Sequence, residues 1–479
     1  MRRPAVPYDS SAVPLLAPAL DEIVGRRVRD GHAPSSAYAL VADGAVVATG
    51  GAGGEASPVP DGGTAFRIAS CTKSFTATAM LQLRDSGLLD LDEPVDTFLP
   101  IAVTGGSAPT VAQLAGMVGG IPFDDPWADR QESMTTADFD AMTARGIRLV
   151  SEPGTRYEYS SLGYALLGRV LERVSGRRYI DLVREDVLHP LGLTGIAFDR
   201  SVEAPGGIAA GFARVGDQWV EQPWAEPGAF SPLGGLLATP AALGAWVAWL
   251  AAAWRPEGTP DGTAGAGAVG TAADSVLAAA SRRELQTGRM PTGTAPGTRY
   301  GWGLVAEEDP RHGAIVSHSG GYPGFGAHMR WHAGSGIGVV VLENARYSGA
   351  IRAATAGLTA VLDSTRATGS APVLWPETLA ARAAVEELLR GRPDSVTRIA
   401  SDNLELDEPL ARRAAHAATI ATRIELAPDA PVSAPDAADS ESAAHLVWRV
   451  RGTRGSARCE VRLTPEASPR LQTLVIQLG

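Results

Sequence analysis

Ser70-Cys71-Thr72-Lys73 sets a hydroxyl and an amine three residues apart at the start of Thr72 to Arg84, an apolar-striped segment whose period predicts a helix. On a helix that spacing brings both side chains to one face, a turn apart. A serine becomes a nucleophile when a neighbouring base takes its proton, and a lysine kept neutral by burial is such a base. A helix start adds backbone N–H groups without intrahelical partners, suited to the oxyanion that forms when a hydroxyl adds to a carbonyl. Lys73 is also the only lysine among 42 basic residues. An arginine-biased composition explains the scarcity. It does not explain the survivor, because arginine replaces lysine as a surface charge but cannot surrender its proton at accessible pH.

Two further segments carry suitable groups. Tyr157-Glu158-Tyr159-Ser160-Ser161 leads into a predicted helix from Leu162 to Val174, and a loop-borne tyrosine beside a lysine holds a proton or serves as a phenolate base. Taken singly, it reads as a rim aromatic. His318-Ser319-Gly320-Gly321 follows a predicted strand, Ala314 to Ser317; its small residues let the backbone approach a ligand and its imidazole can donate a hydrogen bond. A lone histidine in such a place is ordinarily structural.

Ser70-x-x-Lys73, Tyr159-Ser160-Ser161 and His318-Ser319-Gly320 stand in the order and spacing of the serine β-lactamase-like superfamily, and the chain most resembles its class C and family VIII esterase branch. Leu89-Asp90-Leu91-Asp92-Glu93-Pro94-Val95 and Pro153-Gly154-Thr155-Arg156-Tyr157 fit the same pattern, so the resemblance runs over about residues 10 to 365. It implies Ser70 as nucleophile, Lys73 and Tyr159 as a coupled acid/base pair, and an oxyanion hole from the N–H groups of Ser70 and Gly321. His318 would orient Tyr159 and the bound carbonyl; Ser161, Ser319, Gly320 and Asn344 would touch substrate, although a strand-ending asparagine is more often a turn residue. Two positions depart from the pattern. Ser161 stands where relatives have asparagine, and it lacks the amide's paired donor and acceptor. His318 stands where penicillin-binding proteins and many β-lactamases have lysine, and a mostly neutral imidazole anchors a carboxylate poorly, which favours neutral esters or amides.

The elements that must position these groups follow from periodicity. Val13 to Arg29 has helical spacing; Tyr38 to Ala42 and Ala45 to Thr49 read as strands joined by Asp43-Gly44, a favoured two-residue hairpin turn; Thr64 to Ala69 reads as a strand ending at Ser70. Residues 85 to 250 are mostly helical. Tyr300 to Ala306, Ala314 to Ser317, Ala327 to His332 and Ile337 to Glu343 form an antiparallel meander closed by a helix from Ser348 to Thr365. The fold class is therefore α/β (α+β): a β-lactamase-like antiparallel sheet flanked by helices plus a helical subdomain, over residues 1–368. After a linker at Gly369-Ser370-Ala371-Pro372, residues 373–479 read as a small α+β accessory domain with a helix at Pro376 to Leu389, strands at Ala444 to Val450, Ala457 to Leu463 and Leu471 to Leu478, and an acidic loop at Pro428 to Ser442.

Composition narrows the function. With 479 residues, 45% hydrophobic, the chain is globular; its formal net charge of −11 repels nucleic acid and anionic membrane surfaces. Cys71 and Cys459 form no disulfide framework or metal spacing, no apolar run reaches the ~18 residues of a membrane span, and Met1-Arg2-Arg3-Pro4 leads into no signal-like core, so a reduced, cytoplasmic location is expected. No cofactor or metal is expected: His328 and His332 lie in a strand without a carboxylate between them, and the G-x-G-x-x-G of Gly265 to Gly270 follows no strand. Asp124-Asp125-Pro126-Trp127-Ala128-Asp129-Arg130-Gln131 is either a cleft-lining specificity loop or a local cap. The reading is a serine hydrolase, an esterase working through a Ser70 acyl-enzyme on a small ester, amide or peptide. Its rivals are an acyltransferase or peptide cyclase resembling penicillin-binding proteins, and a non-catalytic binding module of the same fold.

Overall fold

The structure, a computed structural model, describes residues 8–254, 273–366, 374–427 and 442–478. The glycine-rich segment around Gly265, the linker at Gly369 and residues 428–441 of the acidic loop lie outside them. Two compact units result, Tyr8–Thr365 and the residues from Arg366 onward.

In the larger unit, helix α1 (Ala17–Arg29) precedes strands β1 (Ser35–Ala42) and β2 (Ala45–Gly53). Asp43 (φ 52°) and Gly44 (φ 79°) both take left-handed conformations between them, the geometry that matches the twist of a two-residue hairpin. Among the helices that follow are α2 (Lys73–Asp85), the one-turn α3 (Asp125–Ala128), α4 (Ser161–Ser175) and α5 (Pro240–Ala251). Strands β3 (Met290–Pro291), β4 (Arg299–Tyr300), β5 (Val305–Asp309), β6 (Gly313–Tyr322), β7 (Phe325–His332) and β8 (Gly338–Glu343) then complete an eight-stranded antiparallel sheet, and helix α6 (Ile351–Thr365) closes the unit. The strand order is β3-β4-β5-β6-β7-β8-β1-β2, so the first hairpin joins the meander through β1 and β8.

Both sheet faces are covered, which is why β1 and β8 are buried along their whole length. Tyr38, Leu40, Val339 and Val341 pack with Leu20 and Val24 of α1 and Leu358 of α6. Alternate residues Ala39, Val41, Val340 and Leu342 face the main core with Trp246 and Trp249 of α5. Helix α2 runs through that core, buried from Lys73 to Leu81.

Three expected elements differ. The strand expected at Thr64 to Ala69 shrinks to Phe66–Arg67, because Ala69 turns to φ +47° and a 3-10 turn, Ala69–Thr72, begins there. Tyr300 to Ala306 splits into β4 and β5 at Gly301-Trp302-Gly303; Gly303 has φ +73°, and a Cβ there would meet the Lys73 carbonyl oxygen at 2.5 Å. The mostly helical middle also holds short strands, among them a three-stranded sheet through Phe66–Arg67, Leu237–Ala238 and Ile196–Ala197.

The smaller unit has helices α7 (Pro376–Leu389) and α8 (Leu410–Ile424) and an antiparallel sheet β9 (His445–Gly452), β10 (Gly455–Leu463), β11 (Leu471–Leu478). Val385, Leu388, Ile420, Trp448 and Val461 are among the residues of its own core. Among the described residues no helix is long and apolar enough to cross a membrane.

Candidate active site

The turn at Ala69 delivers Ser70 to the mouth of α2. A non-glycine residue at positive φ is held there only by its surroundings, and strain of this kind gathers at functional sites. Gly320 of β6 permits the fit: a Cβ on it would lie 2.2 Å from the Ile68 carbonyl oxygen. Ser70 is 4% exposed and Lys73 is fully buried beneath it. Lys73 Nζ lies 2.8 Å from Ser70 Oγ, 3.1 Å from Ser161 Oγ and 3.0 Å from the Leu233 carbonyl oxygen. Burial lowers the Lys73 pKa, while Asp125, Asp129 and Asp124 pull it back up. The amine is therefore easier to deprotonate than a surface lysine.

Ser70 opens onto a cavity of about 510 Å³ whose wall includes Tyr157, Tyr159, Tyr300, His318, Ser319 and Gly321. The Tyr159 ring centroid is 5.0 Å from Lys73 Nζ. Burial and the nearby Asp125 carboxylate push the Tyr159 pKa well above its ordinary value, against the opposing bond to Ser70, so the phenol keeps its proton. Of the two roles open to this tyrosine, proton holder and phenolate base, the free protein favours the first.

His318 has a fixed tautomer. Its Nδ1 lies 2.6 Å from the Ser319 carbonyl oxygen, which only accepts, so Nδ1 donates and Nε2 accepts from the Tyr300 hydroxyl at 3.2 Å. Burial and Lys73 push its pKa down to about 3, which leaves the imidazole neutral. The expected partner Tyr159 is not bonded to it; their ring centroids are 6.4 Å apart. Beyond Ser317 strand β6 has no rung to β5, and along this unpaired edge His318, Ser319 and Gly321 line the cavity. Gly321 lies on that edge, and a Cβ there would meet the Tyr347 ring at 2.2 Å.

The remaining expected contacts divide. Ser319 lines the cavity, its Oγ 2.8 Å from His328 Nδ1. Ser161 is buried behind Lys73, and Gly320 packs on the nucleophile turn. Asn344 is a correction. It is fully buried, its Oδ1 accepts from Ser35 N at 2.7 Å, and its Nδ2 donates to Ser57 Oγ and the Ala210 carbonyl, so it holds the end of β8 and has no polar hydrogen left for a ligand.

Sequence reasoning missed Tyr300, and it saw the Asp124 loop without its geometry. Asp124 is a cap: it accepts from Ser161 N at 2.7 Å, Leu162 N at 2.9 Å and Ser160 Oγ at 3.1 Å at the start of α4. Asp125 lines the cavity and accepts from Ser161 Oγ at 2.6 Å. Asp129, which accepts from the Tyr347 hydroxyl at 2.6 Å, is pushed up to about 7 by burial and Asp125.

The sequence model described as Beta-lactamase matches residues 20–363. The chain belongs to the Beta-lactamase family. Protein flp of Staphylococcus aureus (strain COL) is 30% identical over 194 residues, covering 38% of this chain and 38% of that protein. The match thus spans well under half the length of this curated relative. Among solved structures, the octameric penicillin-binding protein homologue from Pyrococcus abyssi superposes with a TM-score of 0.62 at 20% identity, over 97% of this chain and 98% of the other. EstCE1, a hydrolase with promiscuous acyltransferase activity, gives a TM-score of 0.58 at 18% identity, over 74% of this chain and 99% of its own. These structural likenesses show the β-lactamase-like fold, helices packed on an antiparallel sheet.

Proposed function

We propose that the protein hydrolyses a neutral ester or amide through an acyl-enzyme on Ser70. The observation that carries this is the contact of Ser70 Oγ with a fully buried amine at 2.8 Å, at the edge of an open cavity. In this reading Lys73 takes the Ser70 proton as Oγ bonds to the substrate carbonyl carbon, and the carbonyl oxygen becomes an oxyanion facing the N–H groups of Ser70 and Gly321. Collapse breaks the bond to the leaving group. Tyr159, which carries its proton in the free protein, gives it to that departing oxygen or nitrogen and is reprotonated from Lys73. Water then gives a proton to the Lys73–Tyr159 pair as its oxygen bonds to the acyl carbon, the bond from that carbon to Ser70 Oγ breaks, and the proton passes to Oγ as the acid leaves.

The cavity wall supports a neutral substrate. Among the described residues lining it, Arg330 is the only arginine or lysine, and it is paired with Glu307, while His318 is uncharged. A substrate carboxylate would meet Asp125 and no free cation. A short-chain p-nitrophenyl ester should therefore turn over with a higher kcat/KM than a penicillin. Mass spectrometry of the quenched reaction should find the acyl group on Ser70, and Ser70→Ala should abolish both adduct and turnover, by on the order of 10³-fold or more. Turnover retained by Ser70→Ala would reject the nucleophile. Added amine that diverts the product from acid to amide would move the reading from hydrolysis to acyl transfer.

A further inference from the structure

Two adjacent aspartates at the start of α3 have separate partners. Asp124 spends both carboxylate oxygens on the first turn of α4, which pins the loop to that helix. Asp125 is thereby brought against the side chain of Ser161, whose hydroxyl donates to it at 2.6 Å. Pro126, which follows, restricts the local backbone.

We propose that Asp125, acting through the Ser161 hydroxyl, is a positioning residue that sets the direction of the hydrogen bonds around Lys73, so that the amine accepts from Ser70. This rests on the reading of Ser70 as nucleophile. A carboxylate only accepts, and a serine hydroxyl has one proton. With that proton committed to Asp125, Ser161 Oγ can only accept from Lys73. The Leu233 carbonyl is likewise an acceptor. A neutral amine has two hydrogens and one lone pair. Both hydrogens are claimed by Ser161 and Leu233, and the lone pair is left to the Ser70 O–H at 2.8 Å. When the proton crosses, the resulting ammonium keeps the same three neighbours, and no heavy atom has to turn. Without Asp125 the Ser161 hydroxyl is free to donate to Nζ, which would occupy the lone pair and turn a lysine N–H toward Ser70.

The charges around Lys73 fit this arrangement. Asp124, Asp125 and Asp129 face it from the α3 loop, Cys71 from its own turn, Tyr159 and Tyr164 by ring faces at 5.0 and 5.6 Å, and neutral His318 from β6. Asp125 is the first of the charges favouring the ammonium and the one tied to it through Ser161.

The single lysine makes the test direct, because lysine labelled with 13C and 15N gives one side-chain signal whose titration is that of Lys73. Asp125→Asn is close to isosteric and should lower that midpoint by about one unit. It should also lower kcat/KM for a p-nitrophenyl ester about tenfold or more and carry the acid limb of its pH profile downward. In a Ser161→Ala background the charge still acts through space, so the same substitution should lower the midpoint by a similar amount, but it should change kcat/KM by less than about twofold, because the intermediary is gone. Equal effects on kcat/KM in both backgrounds, or a midpoint that Asp125→Asn leaves in place, would overturn the proposal. If Ser70→Ala retains turnover the acyl-enzyme reading fails, while the ratio of the Asp125→Asn effects on kcat/KM in the two backgrounds still decides the role of Asp125.

Discussion

Two buried polar clusters of the β-lactamase-like unit differ in one respect. Around Lys73 the chain Asp125–Ser161–Lys73–Ser70 ends on a hydroxyl that borders a cavity. Around Glu343, at the end of β8, everything closes on itself. Arg27 meets both carboxylate oxygens at 2.8 Å and donates to the Ser348 carbonyl at 2.6 Å, Ser36 adds a bond at 3.3 Å, and the neighbouring Asn344 is bonded to Ser35, Ser57 and Ala210. Both clusters are buried and rich in groups that do chemistry elsewhere. A buried polar cluster with all its valences spent fixes a fold; one that ends on a group facing a cavity is equipped to react.

The comparison breaks most readily at Lys73. Lys73→Arg keeps a positive charge but cannot accept the Ser70 proton and is bulkier, so kcat/KM for a p-nitrophenyl ester should fall by on the order of 10³-fold, equivalent to about 4 kcal/mol of barrier. A largely active Lys73→Arg would reduce the open cluster to an electrostatic one. Glu343→Gln should do the reverse. It strands the guanidinium of Arg27, which is 7% exposed, and should cost about 3 kcal/mol in urea unfolding with kcat/KM near wild type. A fall in activity without a fall in stability would show that the closed cluster reaches the site.

The same contrast explains how much of the molecule could be read from its sequence. Elements with a strong period were legible: α7 begins and ends at Pro376 and Leu389 as the apolar pattern indicates, and Asp43-Gly44 makes the hairpin. Two-residue strands such as Phe66–Arg67 are shorter than any period, and the amphipathic α8 passed unread between clearer elements. In the site, Ser70 and Lys73 were legible because one helical turn joins them. Tyr159 and His318 were legible only through the resemblance to a family. The Ser161–Asp125 bond spans 36 residues and the Tyr300–His318 bond 18, and no local spacing rule relates such positions. Asn344 was misassigned for the complementary reason: a polar residue at a strand end looks the same whether its amide faces a ligand or the backbone of a neighbour.

Asn344 therefore gives the finest test of open against closed, with the smallest expected effect. Its Oδ1 is the partner of the Ser35 N–H, and its amide hydrogens satisfy Ser57 Oγ and the Ala210 carbonyl. Asn344→Ala leaves those groups buried without partners, and an orphaned backbone donor alone costs about 1–3 kcal/mol. Stability should drop by about 2 kcal/mol. The side chain borders no part of the cavity, so KM for an ester should stay within about twofold of wild type, and kcat with it. The opposite pattern, a KM raised fivefold or more (about 1 kcal/mol) in a protein of unchanged stability, would mean that Asn344 meets substrate after all and that a saturated hydrogen-bond count does not mark a residue as structural.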